Sequence, residues 1–285
     1  MNKNRLNISF ILGCSRSGTT ILSKAISSCL NINYLYEPPL LYPLFYNLKE
    51  PNSNWKNIFE SYLIEDFLIN NINGRNFNFN PNDDTFIKNI FSEKRISDVF
   101  KESKRRRDII KNLNKYKIYI KIPDLIFDKK FIQIYKKTKL IIIERGAVEC
   151  INSLYEKKWY SNKNNAYFTS GNFIKNTQVP FFINNTNINL WNNLNEFEKC
   201  VYHYYQIKVG LRKVDTRYRV KYEELVLNPK KIIFKLLNDL KLQYSKNTLE
   251  IIKSIKIQKS SNKNIYTNKI RNDKIHEIYN KLISN

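Results

Sequence analysis

The chain has 285 residues, 42% of them hydrophobic and 14% aromatic, which suffices for one large α/β domain and excludes a disordered chain. Its 6 glycines and 8 prolines exclude collagen-like and low-complexity classes, and no apolar run approaches the roughly 18 residues that a membrane span needs. Lysine and arginine number 49 against 25 acidic residues, a formal +24, and a field of that sign favours anionic ligands.

Part of that charge is compositional, because the crowding of Asn, Ile and Lys is what an A/T-rich coding sequence produces. Cys14, Cys29, Cys150 and Cys200 show no CxxC spacing, and neither His203 nor His276 stands at ligand spacing from them, so no zinc site is expected. Such scattered thiols read as buried small hydrophobes in a reducing compartment, which makes a cytoplasmic protein the expectation.

Met1 to Gly13 has a basic start, a brief apolar stretch and no small-residue cleavage site, so it reads as a buried strand (Asn7–Gly13) rather than a signal peptide. Thr19–Leu30 follows as a helix with Ile21, Leu22, Ala25 and Ile26 at helical spacing. Ile32–Tyr36 is a second strand, closed by Glu37-Pro38-Pro39. Residues 40 to about 115 form an aromatic, Asn-rich insertion, helical over Asn57–Asn71 and Ile96–Asn114 and loose over Asn71–Asp84. Alternation then resumes: strand Lys117–Ile122, helix Asp128–Lys137, strand Lys139–Glu144 and helix Ala147–Trp159. Residues 160–194 read as an Asn-rich loop placed to act as a lid. Beyond it come helix Glu196–Val214, strand Tyr218–Tyr222, helix Pro229–Leu240 with proline in its first turn, and a tail helix over Asn272–Ile283. Strands alternating with helices, without a repeat or a linker, predict a single three-layer α/β domain on a mostly parallel sheet.

The residues richest in chemistry are Gly13-Cys14-Ser15-Arg16-Ser17-Gly18-Thr19-Thr20, set between the first strand and its helix. Two glycines let successive backbone N–H groups turn inward around an anion, and the helix N-terminus behind them adds unpaired donors and partial positive charge. In the ATPase form of such a loop a lysine follows the second glycine, whereas Thr19 stands there in this chain. Neither Lys117–Ile122 nor Lys139–Glu144 ends in the aspartate that would hold Mg²⁺, so a nucleotide-dependent kinase is the weaker alternative. A basic nucleic-acid binder is weaker still, since no RNA-binding aromatic motif or zinc-finger spacing is present.

This loop resembles the 5′-phosphosulfate loop of the sulfotransferases that use 3′-phosphoadenosine 5′-phosphosulfate (PAPS), a P-loop-like fold, and is most similar to bacterial and tyrosylprotein-sulfotransferase-type members. Three further segments fit in order: Lys121-Ile-Pro123, Arg145 with Ser153, and Tyr222-Glu-Glu-Leu-Val-Leu-Asn-Pro229. The resemblance spans residues 7–240. Gly146 directly follows Arg145 where the family usually has Asp-Pro or Asp-Gly.

The resemblance implies PAPS as donor, with no metal, held by Cys14 to Thr20 at the 5′ end and by Arg145 and Ser153 at the 3′-phosphate. Glu37 is the expected general base, since it follows the second strand beside the loop and no histidine precedes His203. Lys121, with Arg16, is expected to stabilise the leaving oxygen, although strand alternation alone leaves the side on which Lys121 points undecided. For a late phosphate-binding loop near residues 255–271 the candidates are Lys263, Lys269 and Arg271. His203, among tyrosines on a helix, reads as a packed histidine. Tyr42, Phe45, Tyr46 and Trp55, with the stretch from Trp159 to Trp191, are candidates to line an acceptor groove. A carbohydrate or small molecule is the expected acceptor, with peptide tyrosine as the alternative.

Overall fold

The computed structural model describes residues 6–46, 53–83, 86–90, 93–101, 104–126, 138–161, 171–174, 177–255 and 266–284. Five parallel strands form the central sheet in the order β2-β3-β1-β4-β7. These are β1 (Asn7–Leu12), β2 (Ile32–Tyr36), β3 (Lys117–Lys121), β4 (Lys139–Glu144) and β7 (Tyr218–Lys221). A separate antiparallel pair, β5 (Asn172–Ile174) and β6 (Thr177–Val179), lies between β4 and β7 in sequence.

Strand alternation divides the core into two layers. Ile8, Phe10 and Leu12 of β1, Ile118 and Ile120 of β3, and Leu140 and Ile142 of β4 pack into the larger one. Ile11, Tyr119, Ile141 and Ile143, one position out of step, pack into the other. The helices Ala147–Glu156, Glu196–Arg212 and Asp273–Ile283 cover the first face, with the insertion; Thr19–Ser27, Pro229–Leu240 and Lys246–Ser254 cover the second. The result is the three-layer α/β architecture expected from the alternation.

Local signals set several boundaries. Asn195 caps the Glu196–Arg212 helix by accepting from the N–H groups of Phe197 and Glu198, and the Glu198 carboxylate returns a bond to the Asn195 N–H. The other Glu198 oxygen accepts from the N–H groups of Arg271 and Asn272, which ties the tail helix to the core. Pro229 occupies the first turn of its helix, as expected.

Several elements are shorter or more structured than the sequence suggests. The first helix stops at Ser27 rather than Leu30, and the Ala147 helix at Glu156 rather than Trp159. Tyr222 opens a short helix, Tyr222–Leu227, instead of ending β7. In the insertion one continuous helical run spans Ser53–Ile72, widened to π geometry over Tyr62–Leu68, while Ile96–Asn114 resolves into Glu93–Lys101 and Arg106–Lys111. The stretch 160–194 is not all loop. It carries β5, β6 and the Ile188–Asn192 helix, and Val179, Phe182, Ile183, Ile188 and Trp191 are core residues. Asn residues dominate its composition, but its apolar residues are spaced to bury one side. The expected Asp128–Lys137 helix lies outside the described residues.

Candidate active site

Three adjacent strands, β2, β3 and β1, end at one edge, and the first residues past them build the site. The backbones are stitched together there: Glu37 N–H donates to Lys121 O (2.9 Å), Asp124 N–H to Gly13 O (2.9 Å) and Ile122 N–H to Ile11 O (3.0 Å). Glu37 (φ 40°), Asp124 (φ 59°) and Arg16 (φ 70°) all adopt left-handed backbone. Such conformations cost a non-glycine residue about 1–3 kcal/mol and persist where the surroundings impose them.

In the loop after β1, Ser17 N–H donates to Cys14 O (3.0 Å), closing a tight turn. Gly18 has φ 99°, and a Cβ there would strike the Tyr222 ring, so both conformation and space require glycine. Gly13 is likewise confined, because its Cβ would lie 2.7 Å from the Ile143 carbonyl. Arg16 is exposed and donates from Nε to Ser153 Oγ (3.1 Å). Arg145 donates to the Arg16 carbonyl (3.0 Å) and lays its guanidinium 4.6 Å from the Tyr222 ring centroid. The expected donor-site residues Arg16, Arg145 and Ser153 therefore form one connected group on one side of the loop.

Ser17 Oγ and Arg145 Nε are buried polar atoms with no partner among the described residues. Both residues border a cavity of about 290 Å³ between the loop, the end of β4 and the Glu196–Arg212 helix, where Arg145, Lys208, Arg212 and Lys221 outweigh the carboxylates of Glu144 and Glu223. Burial, and then the neighbouring Arg212, hold the Lys208 ammonium below the usual lysine range. Unpaired donors and crowded cations of this kind suit a phosphorylated nucleotide. The turn at Gly146 is held by Glu223, which accepts the Gly146 N–H at 2.8 Å.

On the other side of the loop the question of Lys121 is settled in space: it is 1% exposed and points toward the loop, not away from it. Its Nζ donates to Thr20 Oγ1 (2.8 Å), lies 2.5 Å from Glu37 Oε1 and sits 4.3 Å from the Tyr36 ring centroid. Glu37, 35% exposed on its side chain, thus faces solvent at one end of an ion pair whose other end touches the loop.

Asp124 is the residue that sequence reasoning missed. It lies past Pro123, three residues beyond the end of β3, where strand patterning carries no signal for it. Its buried carboxylate accepts from Ser15 N–H (2.7 Å) and Ser15 Oγ (2.5 Å) and lies 2.8 Å from His203 Nε2. His203, fully buried as a packed residue should be, also contacts Tyr160 OH through Nδ1 (2.8 Å). Cys14 joins this group, and burial raises its thiol pKa well above the usual range, helped by Cys150. Donor atoms of Cys14, Asp124 and His203 lie within 4.8 Å of one another. Although that set suits zinc chemically, the 2.8 Å between Asp124 and His203 is a hydrogen-bond length. Two ligands of one tetrahedral zinc stand roughly 3.3 Å apart.

A cavity of about 400 Å³ opens beside Ser15, Glu37 and Asp124. Of the aromatic residues expected to line a groove, Tyr42, Tyr46, Trp159, Phe181 and Phe182 do so. Phe45 and Trp55 are instead core residues, 6% and 8% exposed, in ring contact at 5.7 Å. Of the late-loop candidates, Lys269 donates to Tyr155 OH (2.5 Å) and the Arg271 N–H is taken by Glu198, and neither residue lines either cavity; Lys263 lies outside the described residues.

The model of the sulfotransferase family matches residues 9–246. No curated sequence matches the chain. Similar solved structures include the sulfotransferase domain of the curacin biosynthetic pathway (14% identity, 98% of this chain and 92% of that one, TM-score 0.44). Others are the sulfotransferase domain of the Synechococcus PCC 7002 olefin synthase (13%, 93% and 82%, TM-score 0.40) and a sulfotransferase, STF1, of Mycobacterium tuberculosis H37Rv (11%, 97% and 77%, TM-score 0.42). With the glycine-bounded loop at the centre of a parallel sheet and the family match running over most of the chain, this protein belongs to the sulfotransferase family and is a PAPS-dependent sulfotransferase.

Proposed function

We propose that the chain moves a sulfuryl group in line from PAPS to a hydroxyl or amine of an acceptor, with Glu37 as general base. PAPS supplies the sulfuryl group and departs as 3′-phosphoadenosine 5′-phosphate (PAP). The observation that carries the reading is the Thr20–Lys121–Glu37 chain, which links the phosphate loop directly to the mouth of the aromatic cavity.

In this reading the residues from Cys14 to Thr20 hold the 5′ end of the donor through loop N–H groups and hydroxyls. Arg145 and Ser153 hold the 3′-phosphate, a task suited to a planar guanidinium. Glu37 takes the proton of the acceptor as the new bond to sulfur forms, and the electron pair of the breaking bond passes to the bridging phosphate oxygen. Lys121, already at the loop, and Arg16 are the cations that would neutralise the charge on that oxygen.

Calorimetric titration with PAP tests the donor half. Micromolar binding to the wild type is expected, weakened roughly 10- to 100-fold in Arg145→Ala, since hydrogen bonds to charged groups are worth about 1.5–3 kcal/mol. Equal affinity in both proteins would remove Arg145 from the donor site.

A further inference from the structure

We infer that the acceptor is a neutral, flat ring alcohol or phenol, not a glycan or an acidic peptide; this rests on the proposed transfer at the same site. The wall of the acceptor cavity is a laminate of three rings. Phe181 lies nearly parallel to Tyr42 (5.9 Å, 4°) and to Tyr46 (5.4 Å, 7°), with Trp159 and Phe182 also bordering the space. Both tyrosine hydroxyls are engaged by backbone carbonyls: Tyr42 donates to Pro123 O (2.7 Å) and Tyr46 to Asp124 O (2.6 Å). Burial raises both phenol pKa values well above the usual range, so the wall stays uncharged. Ser15 Oγ is likewise committed, to Asp124.

The polar side chains that border this cavity among the described residues are few. Glu37 is paired with Lys121, Asp124 is engaged by Ser15 and lies 2.8 Å from His203, and Lys157 is exposed. A sugar carries hydroxyls around its whole ring, and each one buried against a phenyl face without a partner is penalised. An anionic glycan or acidic peptide would also bring its charge to the Glu37 carboxylate, where its hydroxyl must enter. A planar apolar molecule with one hydroxyl has neither problem. Its ring slides along the Tyr42–Phe181–Tyr46 laminate, and its hydroxyl reaches Glu37. A volume of about 400 Å³ accepts roughly two or three fused rings.

The test uses 2-naphthol, methyl β-glucoside and an acidic tyrosine peptide, each as acceptor with PAPS and each as a ligand of the donor-free protein, with PAP affinity measured in parallel. Naphthol is expected to bind without donor and to be sulfated with kcat/KM at least about tenfold above the others. Phe181→Ala should lower naphthol affinity and kcat/KM about tenfold, mainly through KM, and Phe181→Tyr should restore most of it, with PAP affinity equal in all three proteins. Preference for the glucoside or the peptide, or indifference of naphthol binding to Phe181→Ala, overturns the inference. Loss of PAP binding in the wild type would instead overturn the transfer reading, and Phe181-dependent naphthol binding would then still fix the chemical class of the cavity.

Discussion

The phosphate loop and the aromatic cavity meet at Lys121, yet they are assembled in opposite ways. The loop is one contiguous segment, Gly13–Thr20, whose geometry follows from two confined glycines and the helix behind them. The cavity gathers Glu37, Tyr42 and Tyr46 from the start of the insertion, Asp124 from beyond β3, Trp159 from the end of a helix and Phe181 from beyond β6. One region is written locally and is the proposed donor site; the other is written by packing, where substitutions can change the cavity without touching the loop. Asp124 belongs to both regions, and Lys121 joins them by touching Thr20 of the loop and Glu37 of the cavity.

Breaking each region separately should give separable losses. The largest belongs to Glu37→Gln, which keeps the shape of the side chain but removes the proposed base. We expect kcat to fall about 10²- to 10⁴-fold with PAP affinity within a factor of a few of wild type. Steady-state rates and PAP titration check this together, and near-normal turnover would reassign the base.

Asp124→Asn should have a smaller and more mixed effect, because this carboxylate both anchors Ser15 and faces His203. Loss of buried, charge-assisted bonds should cost about 1–3 kcal/mol of stability and weaken PAP binding. Denaturant unfolding with and without PAP reads both quantities. Stability lost with PAP affinity intact would show that Asp124 supports the fold and not the loop.

The smallest effect sharpens the contrast through pH. Burial pushes the Tyr119 phenol up to about 12, and Tyr42, Tyr46, Tyr160 and Tyr204 are raised in the same direction for the same reason. A phenol raised in the folded state contributes stability that is complete below its unfolded pKa near 10 and is lost as pH rises through its folded value. Absorbance at about 295 nm should therefore show exposed tyrosines titrating near pH 10, and the buried ones only at higher pH as circular dichroism collapses. Full titration near pH 10 with the fold intact would contradict the packing described for these rings.

The strands, their parallel order of covering helices and the phosphate loop could be read directly from the chain. Apolar runs such as Ile8–Leu12 and Leu140–Ile143 carry their burial in their composition, and a glycine-bounded turn between strand and helix has few conformations. The insertion and residues 160–194 were less legible, because Asn-rich composition masks the Val179, Phe182, Ile183, Ile188 and Trp191 positions that anchor them. Alternation could not orient Lys121, since a strand-end lysine satisfies either side until a partner is known. Only the tertiary structure placed Thr20 and Glu37 around it, 101 residues from Thr20 in sequence, and brought Asp124 109 residues back to Ser15. What the sequence determined by itself was whatever depends on neighbours along the chain: buried strands, the loop and its helix. What only the tertiary structure decided was which side chains from separate strand ends share a charge, a hydrogen bond or a wall. Those pairings depend on register and packing, which bring residues together without leaving a trace in local sequence.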